Sequence, residues 1–168
     1  MEHSHLASCY NRIYSTRTHM HSFTRSVIIS APIEEVFLFH TDVRNLVKIT
    51  PSYVKTRIIH ADPPGLGQQV QLSIRQFGFL PLNMLMEFFI YDYPTSLADR
   101  QIKGPFSSMV QYRYFEDLGG GYTRMKDVFE FSLPFGILGR MAYALIVKNM
   151  VEVMFVHRQN MTKKLLES

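Results

Sequence analysis

The chain has 168 residues, 46% hydrophobic and 19% charged, with a formal net charge of +4. This length and balance describe one globular domain able to bury a core without staples, and exclude a disordered or fibrous chain. Setting aside residues 1–21, which carry Arg12, Arg17 and Glu2, leaves +3 with no basic cluster; nucleic acid is therefore not expected as a partner, and at most a weak attraction to anionic membrane surfaces stays open.

Residues 1–21 hold four of the seven His, several Ser and Thr, and no sustained period. They lack the apolar h-region of a secretory signal, although Arg12 and Arg17 with little acidity leave a targeting peptide open. Met20, directly before the first strand pattern, also leaves a later start open. The expected organisation is a disordered leader or misassigned start over 1–21, then a single domain over 22–168. The one cysteine, Cys9, lies in that leader, so no internal disulfide is expected.

From Ser22 the pattern is strand-like, with Phe23, Arg25, Val27 and Ile29 alternating against Ser22, Thr24, Ser26 and Ile28. Ser30-Ala31-Pro32-Ile33-Glu34-Glu35 then opens a short helix, with Pro32 in the first turn and acids at the positive end. Thr41-Asp42 caps a second short helix running to Ile49, which Pro51 stops. Alternating segments at hairpin spacing follow: Tyr53–His60, Gln68–Arg75, Asn83–Tyr91, Ser96–Lys103, Ser107–Glu116 and Tyr122–Leu133. Their turns are Asp62-Pro63-Pro64-Gly65, Tyr93-Pro94-Thr95, Gly104-Pro105 and Gly119-Gly120-Gly121. Connections this short exclude parallel crossovers, so the class is α+β with an antiparallel meander.

Phe77–Leu82 stands out as a greasy connection. A cavity lid, a dimer contact and a lip that transiently touches membrane to collect a lipid are its functional readings; packing onto Leu138, Met141 and Leu145 is the structural one. The chain ends in a long helix, Ile137–Glu167, with Val147, Val151, Met154, Met161 and Leu165 on one face. Its most apolar span, Met141–Val156, is broken by Lys148, Asn149 and Glu152, so no membrane helix is expected and the chain reads as soluble and cytoplasmic. Met141 to Val147 is apolar all round, which marks that half as the expected ligand entrance.

This element order resembles the helix-grip fold of the START-related, Bet v 1-like (SRPBCC) superfamily, which includes polyketide cyclases and coenzyme Q-binding proteins. The resemblance covers residues 22–167 and is carried by Ile28-Ile29-Ser30-Ala31-Pro32-Ile33-Glu34-Glu35-Val36-Phe37, Asp99-Arg100-Gln101-Ile102-Lys103-Gly104-Pro105-Phe106, Thr123-Arg124-Met125-Lys126-Asp127 and Leu133-Pro134-Phe135-Gly136. It implies a seven-stranded curved antiparallel sheet wrapped around the C-terminal helix, with two short helices after the first strand and an apolar cavity between. Members bind lipids, isoprenoid quinones, polyketides or hormones, and a minority catalyse reactions there. Relatives often follow the Gly-Pro-Phe turn with an aromatic and two His on alternate positions; this chain has Met109, Gln111 and Arg113 instead.

Hairpin geometry adds detail. A pairing centred on Gly104-Pro105 sets Asp99 opposite Gln111 and Gln101 opposite Met109. One centred on the glycine turn sets Gln111 opposite Asp127 and Met109 opposite Phe129, with Arg113 diagonal to Asp127. The result is a polar row across three strands, read either as a hydrogen-bond network that fixes register, as a ligand-orienting set, or as a general acid–base set. Glu87 beside Arg100 on the outer face would leave Met84, Met86, Phe88 and Ile90 facing the helix, whose Val147, Val151 and Met154 form the opposite wall. The scattered His40, His60 and His157 read as structural or exposed, and no spacing calls for a metal or a cofactor. Arg158 has two readings, a reach into the row or solvation near the helix end. The expected function is binding or transfer of a hydrophobic small molecule; the alternative is a cyclase or dehydratase using Asp99, Asp127 and Arg113.

Overall fold

In the computed structural model, which describes residues 20–76 and 80–168, the alternating start of the chain is β1 (His21–Ile29). Residues 1–19 of the leader expected over 1–21 lie outside the described residues, and His21, placed in that leader, already belongs to the strand and stacks on Tyr143 with ring centroids 3.5 Å apart. Two short helices follow, α1 (Ile33–Thr41) with Pro32 at its N-cap and Glu34 and Glu35 in its first turn, and α2 (Val43–Ile49), whose cap Asp42 accepts from the Arg44 amide at 3.0 Å.

The six further strands are β2 (Lys55–Ala61), β3 (Gln69–Gln76), β4 (Leu80–Asp92), β5 (Ser96–Lys103), β6 (Ser108–Asp117) and β7 (Thr123–Ser132). All pairs are antiparallel, in the order β1-β7-β6-β5-β4-β3-β2, so the first strand is joined to the last. The C-terminal helix runs as α3 (Gly136–Ala142), a π-helical segment (Tyr143–Val147) and α4 (Lys148–Leu166). This is the expected α+β arrangement, a curved sheet around a long helix. No helix among the described residues is long and apolar enough to cross a membrane.

The core fills the concave side of the sheet. Phe37 of α1 meets Tyr91 and Phe115 edge-on at 5.3 and 5.6 Å, and Phe155 of α4 packs on Phe23 and Phe129 at 5.3 and 5.1 Å.

Four local expectations are revised. In the β6–β7 hairpin Gln111 pairs with Phe129, Arg113 with Asp127 and Met109 with Phe131, two residues away from the register centred on Gly119. All three turn glycines have positive φ, and the turn centres on Gly120. A shift of two leaves every side chain on its expected face. In β4 the register slips between Phe88 and Ile90, a bulge that puts Tyr91 rather than Ile90 against the core.

The greasy connection is shorter than expected. Leu80, Pro81 and Leu82 already belong to β4, pairing with Gln76, Arg75 and Ile74, and Phe77, Gly78 and Phe79 lie outside the described residues. Pro81 is tolerated because β4 has no β5 neighbour before Leu85. Finally, the buried face of α4 continues from Val151 through Phe155, Gln159 and Thr162, steps of four and three, rather than through Met161 and Leu165.

Candidate functional site

Between the sheet and the C-terminal helix lies a cavity of about 470 Å³, inside the size range of small-molecule sites. Its walls are built by strand alternation. Met84, Met86 and Phe88 reach in from β4, Met109 from β6 and Phe129 from β7, and Val147, Val151 and Met154 close it from the helix. Glu87, as expected, points out, and its carboxylate accepts from Arg100 Nε and Nη2 at 2.9 and 2.7 Å. Ile146 is both a cavity-lining residue and 58% exposed, so the wall meets solvent beside the π-helical segment, where Leu138, Met141 and Leu145 are also exposed.

One end of the cavity is polar. Asp99 of β5, Gln111 and Arg113 of β6 and Asp127 of β7 are together there, joined by His40 from the last turn of α1 and by Arg158, Gln159 and Thr162 of α4. Asp127 is the acceptor at the centre. Its Oδ1 takes hydrogen bonds from Gln111 Nε2 and Arg113 Nε, both at 3.1 Å, and its Oδ2 takes one from Gln159 Nε2 at 2.7 Å. Gln159 in turn accepts from Arg25 Nε at 3.1 Å and donates to the Arg25 carbonyl at 3.2 Å, tying α4 to β1. A carboxylate with three donors and an adjacent guanidinium is compensated for its burial.

Asp99 has a different environment. Among the described residues it accepts no side-chain hydrogen bond, and burial pushes its carboxyl up to about 6, assisted by Asp127 and opposed by Arg113 and Arg158. Burial, reinforced by the same two arginines, holds His40 well below its usual value, so the imidazole is neutral. Burial also lowers Arg158 to about 10, with Arg113 adding and the two aspartates opposing.

Five buried side-chain polar atoms among the described residues lack a partner. Four of them, His40 Nε2, Thr56 Oγ1, Arg158 Nε and Thr162 Oγ1, belong to cavity-lining residues. Such atoms are rare in folded proteins, and four of these five border one space. No group of three or more His, Cys, Asp or Glu among the described residues could hold a metal.

Of the expected site residues, Gln101 alone does not line the cavity. Its amide donates to the Phe106 carbonyl at 2.8 Å and accepts from the Phe106 amide at 3.3 Å, clamping the turn, and a Cβ on Gly104 would collide with it. Beyond Arg100–Val110 the β5–β6 ladder stops, so Gln101 never faces Met109. His40 was expected to be structural or exposed, and Gln159, Thr162 and Thr56 had no sequence-based role. The spacing Val151-Phe155-Gln159 carried the signal for Gln159, hidden because its last member is polar.

No family model matches the chain, and no curated protein matches it in sequence. Solved structures do match in shape. A protein from Chromobacterium violaceum aligns with a TM-score of 0.70 at 14% identity over 88% of this chain and 97% of its own. A START superfamily protein from Mycobacterium smegmatis gives 0.68 at 16% identity over 88% and 97%. The chain has the helix-grip fold of START-related proteins. Norcoclaurine synthase from Thalictrum flavum, a Bet v 1-like enzyme, aligns at 0.67 with 13% identity over 90% of this chain and 96% of its own. The aromatase/cyclase-type di-domain protein of the steffimycin pathway aligns at 0.69 with 9% identity over 88% of this chain and 51% of its own. Helix-grip proteins thus include enzymes, and the fold by itself does not assign a reaction.

Proposed function

We propose that this helix-grip protein binds a hydrophobic small molecule, a lipid, isoprenoid or polyketide-like compound, in the cavity between sheet and C-terminal helix, and carries it rather than transforms it. The observation that carries this reading is the cavity itself, about 470 Å³ of mostly apolar wall closed at one end by a polar cluster. Methionines at 84, 86, 109, 150 and 154 give that wall adaptable surfaces, which suit an apolar guest of irregular outline. Among the described residues, the hydroxyls that line the cavity, those of Thr56 and Thr162, have no hydrogen-bonded base beside them. Native mass spectrometry of the purified protein, followed by solvent extraction, tests the proposal. The expected result is a one-to-one complex with an apolar compound; absence of any adduct from several expression hosts counts against it.

A second reading is favoured by one observation. Asp99, whose carboxyl accepts no side-chain hydrogen bond among the described residues and is pushed by burial up to about 6, is poised as a general acid or base in the same space as Arg113, Asp127 and neutral His40. On that reading the protein is a cyclase or dehydratase of polyketide-like substrates. Asp99→Asn separates the two: a carrier keeps its ligand, whereas an enzyme keeps binding and loses turnover.

A further inference from the structure

The polar end of the cavity holds two guanidiniums, Arg113 and Arg158, against two carboxyls, Asp99 and Asp127, so positive charge is in excess there whenever Asp99 carries a proton. Arg113 and Asp127 form one ion pair, and the two other side-chain donors to Asp127 come from Gln111 and Gln159. Arg158 makes no hydrogen bond or ion pair among the described residues. Its Nε is buried without a partner, and its guanidinium lies 6.0 Å from the Phe155 ring. A guanidinium in this setting is costly unless an anion meets it.

We propose that the ligand is an amphiphile with a single carboxylate head, seated against Arg158 and Arg113, and that its uptake places a proton on Asp99. This rests on the cavity being a ligand site and goes on to name the ligand's chemistry. With Asp99 protonated, two guanidinium charges face the Asp127 carboxylate and the ligand carboxylate, and the sum is zero. The planar fork of an Arg matches a carboxylate, and the neutral Asp99 acid donates a further hydrogen bond. A phosphate monoester would bring nearly two charges and leave one uncompensated. An alcohol would bring no charge and leave the Asp99 carboxylate, which makes no hydrogen bond to it, as the negative group facing Arg158. The apolar body then lies along Met84, Met86, Met109, Phe129 and Met154.

The pH dependence follows from the groups around Asp99. Phe88 pairs with it from β4. Arg113 faces it from β6, Asp127 from β7 and Arg158 from α4, and α1 contributes neutral His40 to the same cavity end. Free Asp99 titrates near 6, and a negative head group beside it favours the acid further. Affinity for an anion is therefore highest below pH 6 and falls as pH rises through and beyond it.

Competition against the neutral fluorescent probe N-phenyl-1-naphthylamine, using decanoate, decan-1-ol and decane-1-sulfonate with the full chain, tests this. Decanoate is expected to bind at least about tenfold more tightly than decan-1-ol near pH 6. The sulfonate, ionised throughout, should weaken about tenfold or more between about pH 5.5 and about pH 8 while the alcohol barely changes. Arg158→Met should reduce the carboxylate-to-alcohol ratio about tenfold, and Asp99→Asn should flatten the sulfonate profile. Displacement of the probe by alcohol and carboxylate equally, or a flat sulfonate profile, overturns the inference and leaves the ligand-binding reading standing. Failure of the probe itself to bind overturns both. If Arg158→Met does not fold, the head-group ratio of the unaltered protein decides.

Discussion

Asp99 enters the native state with its proton affinity raised and His40 with its own lowered, so the two pull stability in opposite directions as pH changes. Folded Asp99 titrates near 6, against about 3.9 for an unfolded Asp, so between those values the native state binds more protons. Its burden on stability is full above pH 6 and is relieved as pH falls toward 4. His40 acts the other way: below about 6.5 the unfolded chain takes up a proton that the buried imidazole refuses, and stability is lost. Comparing Asp99→Asn with the parent cancels the His40 contribution. The variant should be more stable by roughly 1–3 kcal/mol near pH 7.5, with the gain vanishing near pH 4, as read by urea denaturation. A variant equally destabilised at both pH values would show that Asp99 is a structural acceptor. Asp99 was legible as a site residue because an alternating strand and a Gly-Pro turn set its face. His40 was not, because its burial arises from α1 closing over the far end of the sheet, a contact that nine residues of helix do not encode.

Turn chemistry made the hairpins readable. Ser96–Lys103 was bounded as observed, and the pairing of Asp99 with Gln111 follows from its Gly-Pro turn. The glycine turn shows the limit, since three consecutive glycines fix the existence of a hairpin but allow its centre to move by one residue. Side-chain faces survived that shift because pairing moved by two. The Phe89 bulge and the clamp made by Gln101 were illegible, each set by fit between strands rather than by local pattern. On the long helix, counting only apolar residues led the expected face toward Met161 and Leu165, while packing follows Phe155, Gln159 and Thr162. The two halves of this helix should therefore respond differently to substitution. Phe155→Ala, at 1% exposure, should cost about 3–5 kcal/mol of stability. Leu138→Glu, at 70% exposure, should stay within about 0.5 kcal/mol in the same chemical-denaturation experiment. A large loss at Leu138 would mean that the apolar flank before the π-helical segment is covered in solution.

At the scale of the molecule, the order of elements was enough to expect a helix-grip fold, although several solved structures that share it are only 9–18% identical to this chain. Joining β1 to β7 is a contact between segments about a hundred residues apart, and no local pattern announces it. The cavity is likewise a property of the whole. It exists because a helix with Val147, Val151 and Met154 on one side does not fill the curve of a seven-stranded sheet, and its volume is written in no single segment. Titration with N-phenyl-1-naphthylamine in the parent, Met154→Trp and Leu145→Trp tests that cavity directly. A ligand site predicts saturable one-to-one binding, weakened at least about tenfold when Trp fills the cavity at position 154 and unchanged when Trp is placed at exposed position 145. Binding that never saturates, or that is indifferent to Met154→Trp, would contradict it.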